Sequence, residues 1–232
     1  MKRRRFVQVC AAGAAGASIA LPSGPALAAR LYRRVRLVGE GGNALTADAI
    51  KPATNYVFDY PFESTPCFLL KLAGPIAGPQ ALKTVSGESY RWEGGVGPAR
   101  SIVAYSAICA HKMTYPTKQV SFIGYRDEPS AVAPRGKVIT CCSDRSVYDP
   151  AAGARVVSGP APQPLAAILL EQDPKSGEIF AVGTYGGEMF AEFFRRFEFR
   201  LQLERGPRAK SEVSGDTVVR PLDHYSTQWA KC

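Results

Sequence analysis

Two stretches decide how this chain reads: Ile102-Val103-Ala104-Tyr105-Ser106-Ala107-Ile108-Cys109-Ala110-His111 and, roughly thirty residues on, Lys137-Val138-Ile139-Thr140-Cys141-Cys142-Ser143-Asp144-Arg145-Ser146-Val147-Tyr148-Asp149. In each, a short β-prone apolar run ends at a cysteine and passes into polar residues, the pattern of a buried strand opening into a loop. Cys109-Ala110-His111 places a thiol and an imidazole one residue apart, and Cys141, Cys142 and Asp144 offer further donors. Two donor loops at the ends of two strands can grip a compact binuclear metal cluster from both sides.

Around these loops the chain reads as many short strands. Tyr56-Val57-Phe58 and Cys67 to Leu72 are β-prone runs, interrupted by Pro61 and Pro66. Val120 to Tyr125 reads as a further strand, with Asp127 to Gly136 as a connection. Ser158 to Leu165 carries three prolines and forms a stiff loop. Ala167 to Glu171 and Glu178 to Val182 make a hairpin around Asp173-Pro174-Lys175-Ser176-Gly177. Met189, Phe193 and Phe197 recur at four-residue spacing, which predicts a short amphipathic helix over 188–197. Residues 29–51 read as a linker or an edge strand, and the tail from Arg205 to Cys232 shows no fold signal.

The composition agrees with one β-rich unit. In 232 residues, 46% hydrophobic, the 22 Gly and 18 Pro are scattered rather than clustered. Four of the 29 basic residues, Lys2 to Arg5, open a segment with an Ala/Gly-rich apolar centre and Ala26-Leu27-Ala28 at its end, which has the three parts of an export signal. Its paired arginines followed by Phe6 resemble the twin-arginine type, which carries folded proteins outward with a cofactor in place. The expectation is a periplasmic protein cut after residue 28, or one held at the membrane by an uncleaved N-terminus. The remaining excess of 5 basic over acidic residues is ordinary, and no basic cluster interleaves with aromatics as a nucleic-acid groove requires. It suits docking to an acidic partner or a membrane surface. No G-x-S-x-G surrounds a serine, and His111 and His224 are the only histidines, so a hydrolase has little to work with.

The two loops, the Tyr148-Asp149 turn and the proline loop Gly159-Pro160-Ala161-Pro162 together resemble the Rieske iron–sulfur family over roughly residues 52–185. That family's loops read C-x-H and C-x-x-H, with two cysteines on one iron and two histidines on the other of a [2Fe-2S] cluster. The resemblance implies an all-β, antiparallel sandwich with a small cluster-binding subdomain over 52–187, followed by a short helix and tail over 188–232. It implies single-electron transfer to a redox partner, a cytochrome or a larger oxidoreductase subunit. The exported small subunits of arsenite-oxidase-type enzymes are the most similar in signal and size. Oxygenases of the family need a second catalytic domain, for which this chain has neither the length nor the histidines.

Residue by residue, Cys109, His111 and Cys141 match the family's first three ligands, while Asp144 stands where the second histidine belongs. Three outcomes are open. Asp144 ligates through a carboxylate oxygen, whose negative charge lowers the potential below the upper part of the Rieske range, about −150 to +300 mV. Alternatively, Cys142 supplies a third thiolate. In the third outcome the site holds no cluster and the protein is a structural or interaction subunit of the same fold. A mononuclear zinc site from Cys109, His111, Cys141 and Cys142 is chemically sound, though adjacent cysteines are awkward tetrahedral ligands. Disulfide pairing is open to every cysteine of an exported protein. The loop-locking disulfide of some family members is ruled out, because Thr114 and Ser143 occupy its positions. Cys67 reads as a core residue and His224 as part of a solvated tail, with a distant fourth ligand as its alternative.

Overall fold

A computed structural model describes residues 28–74, 76 and 78–232, so the export segment up to residue 27, with Cys10, lies outside the described residues. Among the described residues the chain runs β1 (Arg30–Val38), β2 (Tyr56–Asp59), β3 (Pro66–Lys71), β4 (Gln80–Lys83), β5 (Ser89–Trp92) and β6 (Ile102–Ser106). It continues through β7 (Val120–Ser121), β8 (Ile123–Arg126), β9 (Val138–Cys141), β10 (Ser146–Asp149), β11 (Arg155–Ser158), β12 (Ala167–Gln172) and β13 (Ile179–Tyr185). The last part holds α1 (Met189–Arg205), β14 (Asp216–Val218), β15 (Arg220–Pro221), α2 (Leu222–Tyr225) and β16 (Gln228–Trp229).

The all-β architecture expected from the sequence is the one adopted. An eight-stranded sheet has the order β14-β1-β13-β12-β6-β3-β2-β15, and a four-stranded sheet the order β11-β10-β9-β8. Strands β3 and β6 sit in the middle of the large sheet and read as continuous apolar runs because both of their faces are covered. Their alternation sorts the side chains. Phe68, Leu70, Val103 and Tyr105 face one core with Ile108, Tyr148 and Phe193. Cys67, Leu69, Ile102 and Ala104 face a second core with Val35, Leu37 and Phe58. Strand β6 therefore leaves the sheet held from both sides, and Cys109 follows three residues after its end.

Two polar contacts join the sheets. The Tyr105 hydroxyl donates to the Pro150 carbonyl at 2.7 Å. The buried Asn55 side chain acts as a short extra strand against β8, donating to the Tyr125 carbonyl at 2.8 Å and accepting from the Tyr125 amide at 2.6 Å. Both backbone groups of Tyr125 are thereby satisfied at the edge of the small sheet.

Three regions differ from their sequence reading. The segment read as a linker or edge strand forms β1, paired with β13 on one side and, in parallel, with β14 on the other. Helix α1 runs to Arg205 rather than ending at Phe197. Phe197 has non-helical angles (φ −113°), so the helix bends there and Leu201 resumes the buried stripe while Phe199 and Leu203 stay exposed. The tail without a fold signal crosses the molecule. Strand β14 pairs with β1, β15 with β2, and β16 in parallel with β7. Trp229 lies so close over Gly124 that a Cβ there would fall 2.7 Å from its indole nitrogen.

Replacing Asn55 by Leu strands the amide and carbonyl of Tyr125. The expected loss is about 2–6 kcal/mol, at roughly 1–3 for each unsatisfied buried group. Urea unfolding reads it, and an unchanged midpoint would show that the side chain does not join the sheets.

Candidate metal centre

The first donor loop follows β6 and closes on itself. The Cys109 amide donates to the Thr114 carbonyl at 2.8 Å, and the Met113 amide to the Cys109 carbonyl at 2.9 Å. The second is the turn of the β9–β10 hairpin, in which Ser146 pairs with Cys141. Its closing bond runs from the Arg145 amide to the Cys141 carbonyl at 2.7 Å, with Arg145 in the left-handed region (φ 63°). The proline loop packs against this turn through Gly159, where a Cβ would lie 2.6 Å from the Arg145 carbonyl oxygen. Only glycine permits that approach.

The loops bring Cys109, Cys141 and Asp144 together, with His111 outside that group and against the carboxylate. One ligand atom each from Cys109, Cys141 and Asp144 lies within 4.8 Å of the other two. The Asp144 carboxylate divides its oxygens. Oδ1 accepts from the Ser146 amide at 2.9 Å, which holds the turn, while Oδ2 lies 3.3 Å from Cys109 Sγ and 2.9 Å from His111 Nδ1. The Asp144 side chain is 2% exposed, but that of His111 is 39% exposed, so the imidazole forms the outer wall. Tyr148 supports the inner wall. Its hydroxyl lies 3.4 Å from Cys109 Sγ and accepts from the Ala110 amide at 3.2 Å.

The electrostatics follow from these contacts. The neighbouring Cys141 thiol lowers the pKa of Cys109, and with the Tyr148 hydroxyl it outweighs the opposing effect of burial. Cys141 is pushed upward by that same bond to Cys109 and by burial. Burial opposes ionisation of Asp144, yet the Ser146 amide, the Cys109 thiol and His111 hold its carboxyl below the ordinary value.

Cys142 is not part of this group. Its sulfur is bonded to Cys232, with the two Cα atoms 5.6 Å apart. The disulfide thereby withholds Cys142 from the role of a third thiolate. The loops themselves are bridged by a hydrogen bond from the Thr114 hydroxyl to the Ser143 hydroxyl at 3.1 Å, at the two positions that lack cysteine. Cys67 is buried and donates to the Tyr60 carbonyl at 2.9 Å, and His224 pairs on the surface with Glu40 at 2.7 Å. Sequence reasoning missed the partner of Cys142. Elimination points to it: with Cys10 in the export segment, Cys67 in the core and Cys109 and Cys141 as donors, Cys232 is what remains.

The donor set suits a [2Fe-2S] cluster in its chemistry. Each loop contributes one sulfur and one nitrogen or oxygen donor: Cys109 with His111, and Cys141 with Asp144. The Ser146 hydroxyl, directly across the ladder from Cys141, is buried without a hydrogen-bond partner, and a sulfide held between the loops is an acceptor of the kind it lacks.

No protein-family profile matches the chain. Among solved structures, the chain is similar to the crystal structure of the soluble domain of Rieske protein II from Sulfolobus acidocaldarius, with 29% identity. The match covers 66% of this chain and 78% of that one, with a TM-score of 0.45.

Tyr148→Phe removes the acceptor of the buried Ala110 amide and should destabilise the protein by about 1–3 kcal/mol. Thermal or urea unfolding checks this, and a loss well below that range would mean that the hydroxyl does not organise the first loop.

Proposed function

We propose that this chain is an exported Rieske-type [2Fe-2S] electron-transfer protein, with Asp144 at the place of the second histidine. The convergence of Cys109, Cys141 and Asp144, with His111 against the carboxylate, carries this reading. In it Cys109 and Cys141 hold one iron, and His111 and Asp144 the other. When bound, the cluster supplies a site that gains and loses one electron.

The chain's own residues set the conditions for that transfer. The buried Asp144 carboxylate adds a negative charge that a neutral imidazole would not, which favours the oxidised state and lowers the potential. The Tyr148 hydroxyl and the Ala110 amide fix the first loop, so the donors need not rearrange when the charge changes. His111 gives the shortest way out, because it is the exposed member of the set. The exposed Lys112 and Arg145, one in each loop, favour an acidic partner face, on a cytochrome or a larger oxidoreductase subunit.

Export to the periplasm rests on the paired arginines of the N-terminal segment, and the Cys142–Cys232 disulfide suits an oxidising compartment. Among the described residues no helix is long and apolar enough to cross a membrane.

One observation favours a second reading, a cluster-free interaction subunit. The Asp144 carboxylate already has the Ser146 amide, Cys109 and His111 as hydrogen-bond partners. Iron and acid-labile sulfide analysis with electron spin resonance separates the two. Equal iron and sulfide with a Rieske-type spectrum is expected, and a colourless protein made with full iron supply would sink the electron-transfer reading. Within it, Asp144→Ala should lose most of the iron while Cys142→Ser keeps it, and Asp144→His should raise the midpoint potential. A potential that does not move would remove Asp144 from the ligand set.

A further inference from the structure

Cys142 and Asp144 lie two residues apart in the same hairpin turn, directly after the donor Cys141. Both side chains carry groups that bind iron, and thiolate is the softer and more covalent of the two. Left as a thiol, Cys142 would compete with the carboxylate for the fourth position. Its sulfur is instead bonded to Cys232 and lies 3.3 Å from the Ala230 carbonyl, while Asp144 is turned toward Cys109 and His111.

The segment that brings Cys232 to this place is firmly docked. The Gln228 amide donates to the Gln119 carbonyl at 3.1 Å, the Ala230 amide to the Ser121 carbonyl at 2.9 Å, and Arg126 Nη1 to the Cys232 carbonyl at 2.9 Å. The Cys142 amide is held by the Phe122 carbonyl at 2.7 Å, in the same stretch that pairs with the tail. The disulfide thus has its two halves positioned from both sides, and the loop that bears two donors is tied through it to the C-terminal segment.

We propose that the Cys142–Cys232 disulfide selects the ligand set of the centre. This rests on the electron-transfer reading above. Closed, it withholds Cys142 and leaves the fourth position to Asp144. Opened by a dithiol reductant, it returns a third thiol to the turn, and Cys142 replaces the carboxylate. In the opening step the S–S bond breaks, two S–H bonds form, and the dithiol gives up two electrons and two protons as it becomes a disulfide. In the exchange the Cys142 thiol would pass its proton to the departing Asp144 carboxylate, so one anionic donor would replace another and the net charge at the iron would be kept. What changes is the donor atom, from oxygen to sulfur. The Ser146–Cys141, Val147–Thr140 and Tyr148–Ile139 pairs of β9 and β10 frame the four-residue turn in which the backbone change would fall.

The test compares wild-type holoprotein, Cys232→Ser, which frees Cys142, and the double variant Cys142→Ser with Cys232→Ser, which frees the tail without offering a thiol. Peptide mass mapping without reduction should find residues 142 and 232 linked in the wild type. Spin-resonance g values and the visible absorption bands should shift in Cys232→Ser, and in wild type treated with dithiothreitol, while the double variant keeps the wild-type spectrum. An unlinked wild-type pair overturns the proposal. So does a Cys232→Ser spectrum identical to that of the double variant, which would leave the disulfide only a structural tie. Iron-free wild-type protein with the link intact would sink the electron-transfer reading and this proposal together, whereas the first two results sink the proposal alone.

Discussion

The 2.7 Å bond from the Arg145 amide to the Cys141 carbonyl closes the turn on which the whole centre depends. It sets Ser146 opposite Cys141, and from that register follow the positions of the second sulfur, the carboxylate and Tyr148. The turn requires a left-handed residue, and a non-glycine residue such as Arg145 occupies that region at a cost of roughly 1–2 kcal/mol. Asp144 offsets part of it by capping the Ser146 amide. One oxygen of the carboxylate therefore serves the backbone and leaves the other for chemistry. A histidine in that place has no such pair of equivalent oxygens, so a turn that carried one would have to be held in another way.

The large sheet supplies what the turn cannot. Cys109 follows a strand packed on both faces, so the first loop starts from one of the most constrained places in the chain. The two loops meet across the join between the sheets, where Tyr105 and Asn55 link them. The centre is thus a contact between two separately formed sheets, and its rigidity is inherited from them. The gradient from 2% exposure at Asp144 to 39% at His111 gives it a definite outward direction.

Much of this is legible in the sequence, and the reasons are local. Strands β3, β6, β12 and β13 announce themselves by apolar or alternating runs, and Cys109, His111, Cys141 and Asp144 by their spacing from the strands that carry them. Strands β14, β15 and β16 do not. They are only two or three residues long, and their partners β1, β2 and β7 lie about a hundred residues or more away, so no period exists to be read. Asn55 is equally silent, because a side chain that imitates a strand leaves no pattern. Helix α1 is legible up to Phe197; beyond it the exposed Phe199 and Leu203 blur the stripe that Leu201 continues.

The route of the C-terminal segment bears on how the protein opens. It touches β1 at one side of the large sheet, β2 at the other and β7 beside the small sheet, so few of its contacts can be released singly. A small sheet standing alone would be expected to open at lower free energy than the rest of the molecule, as a unit of its own. Laced to the large sheet by the tail, it shares in the larger unit's cooperativity. Amide protons around the centre would then exchange with solvent at rates approaching those of the buried strands β3 and β6, and partial unfolding that bares the donors would be rare.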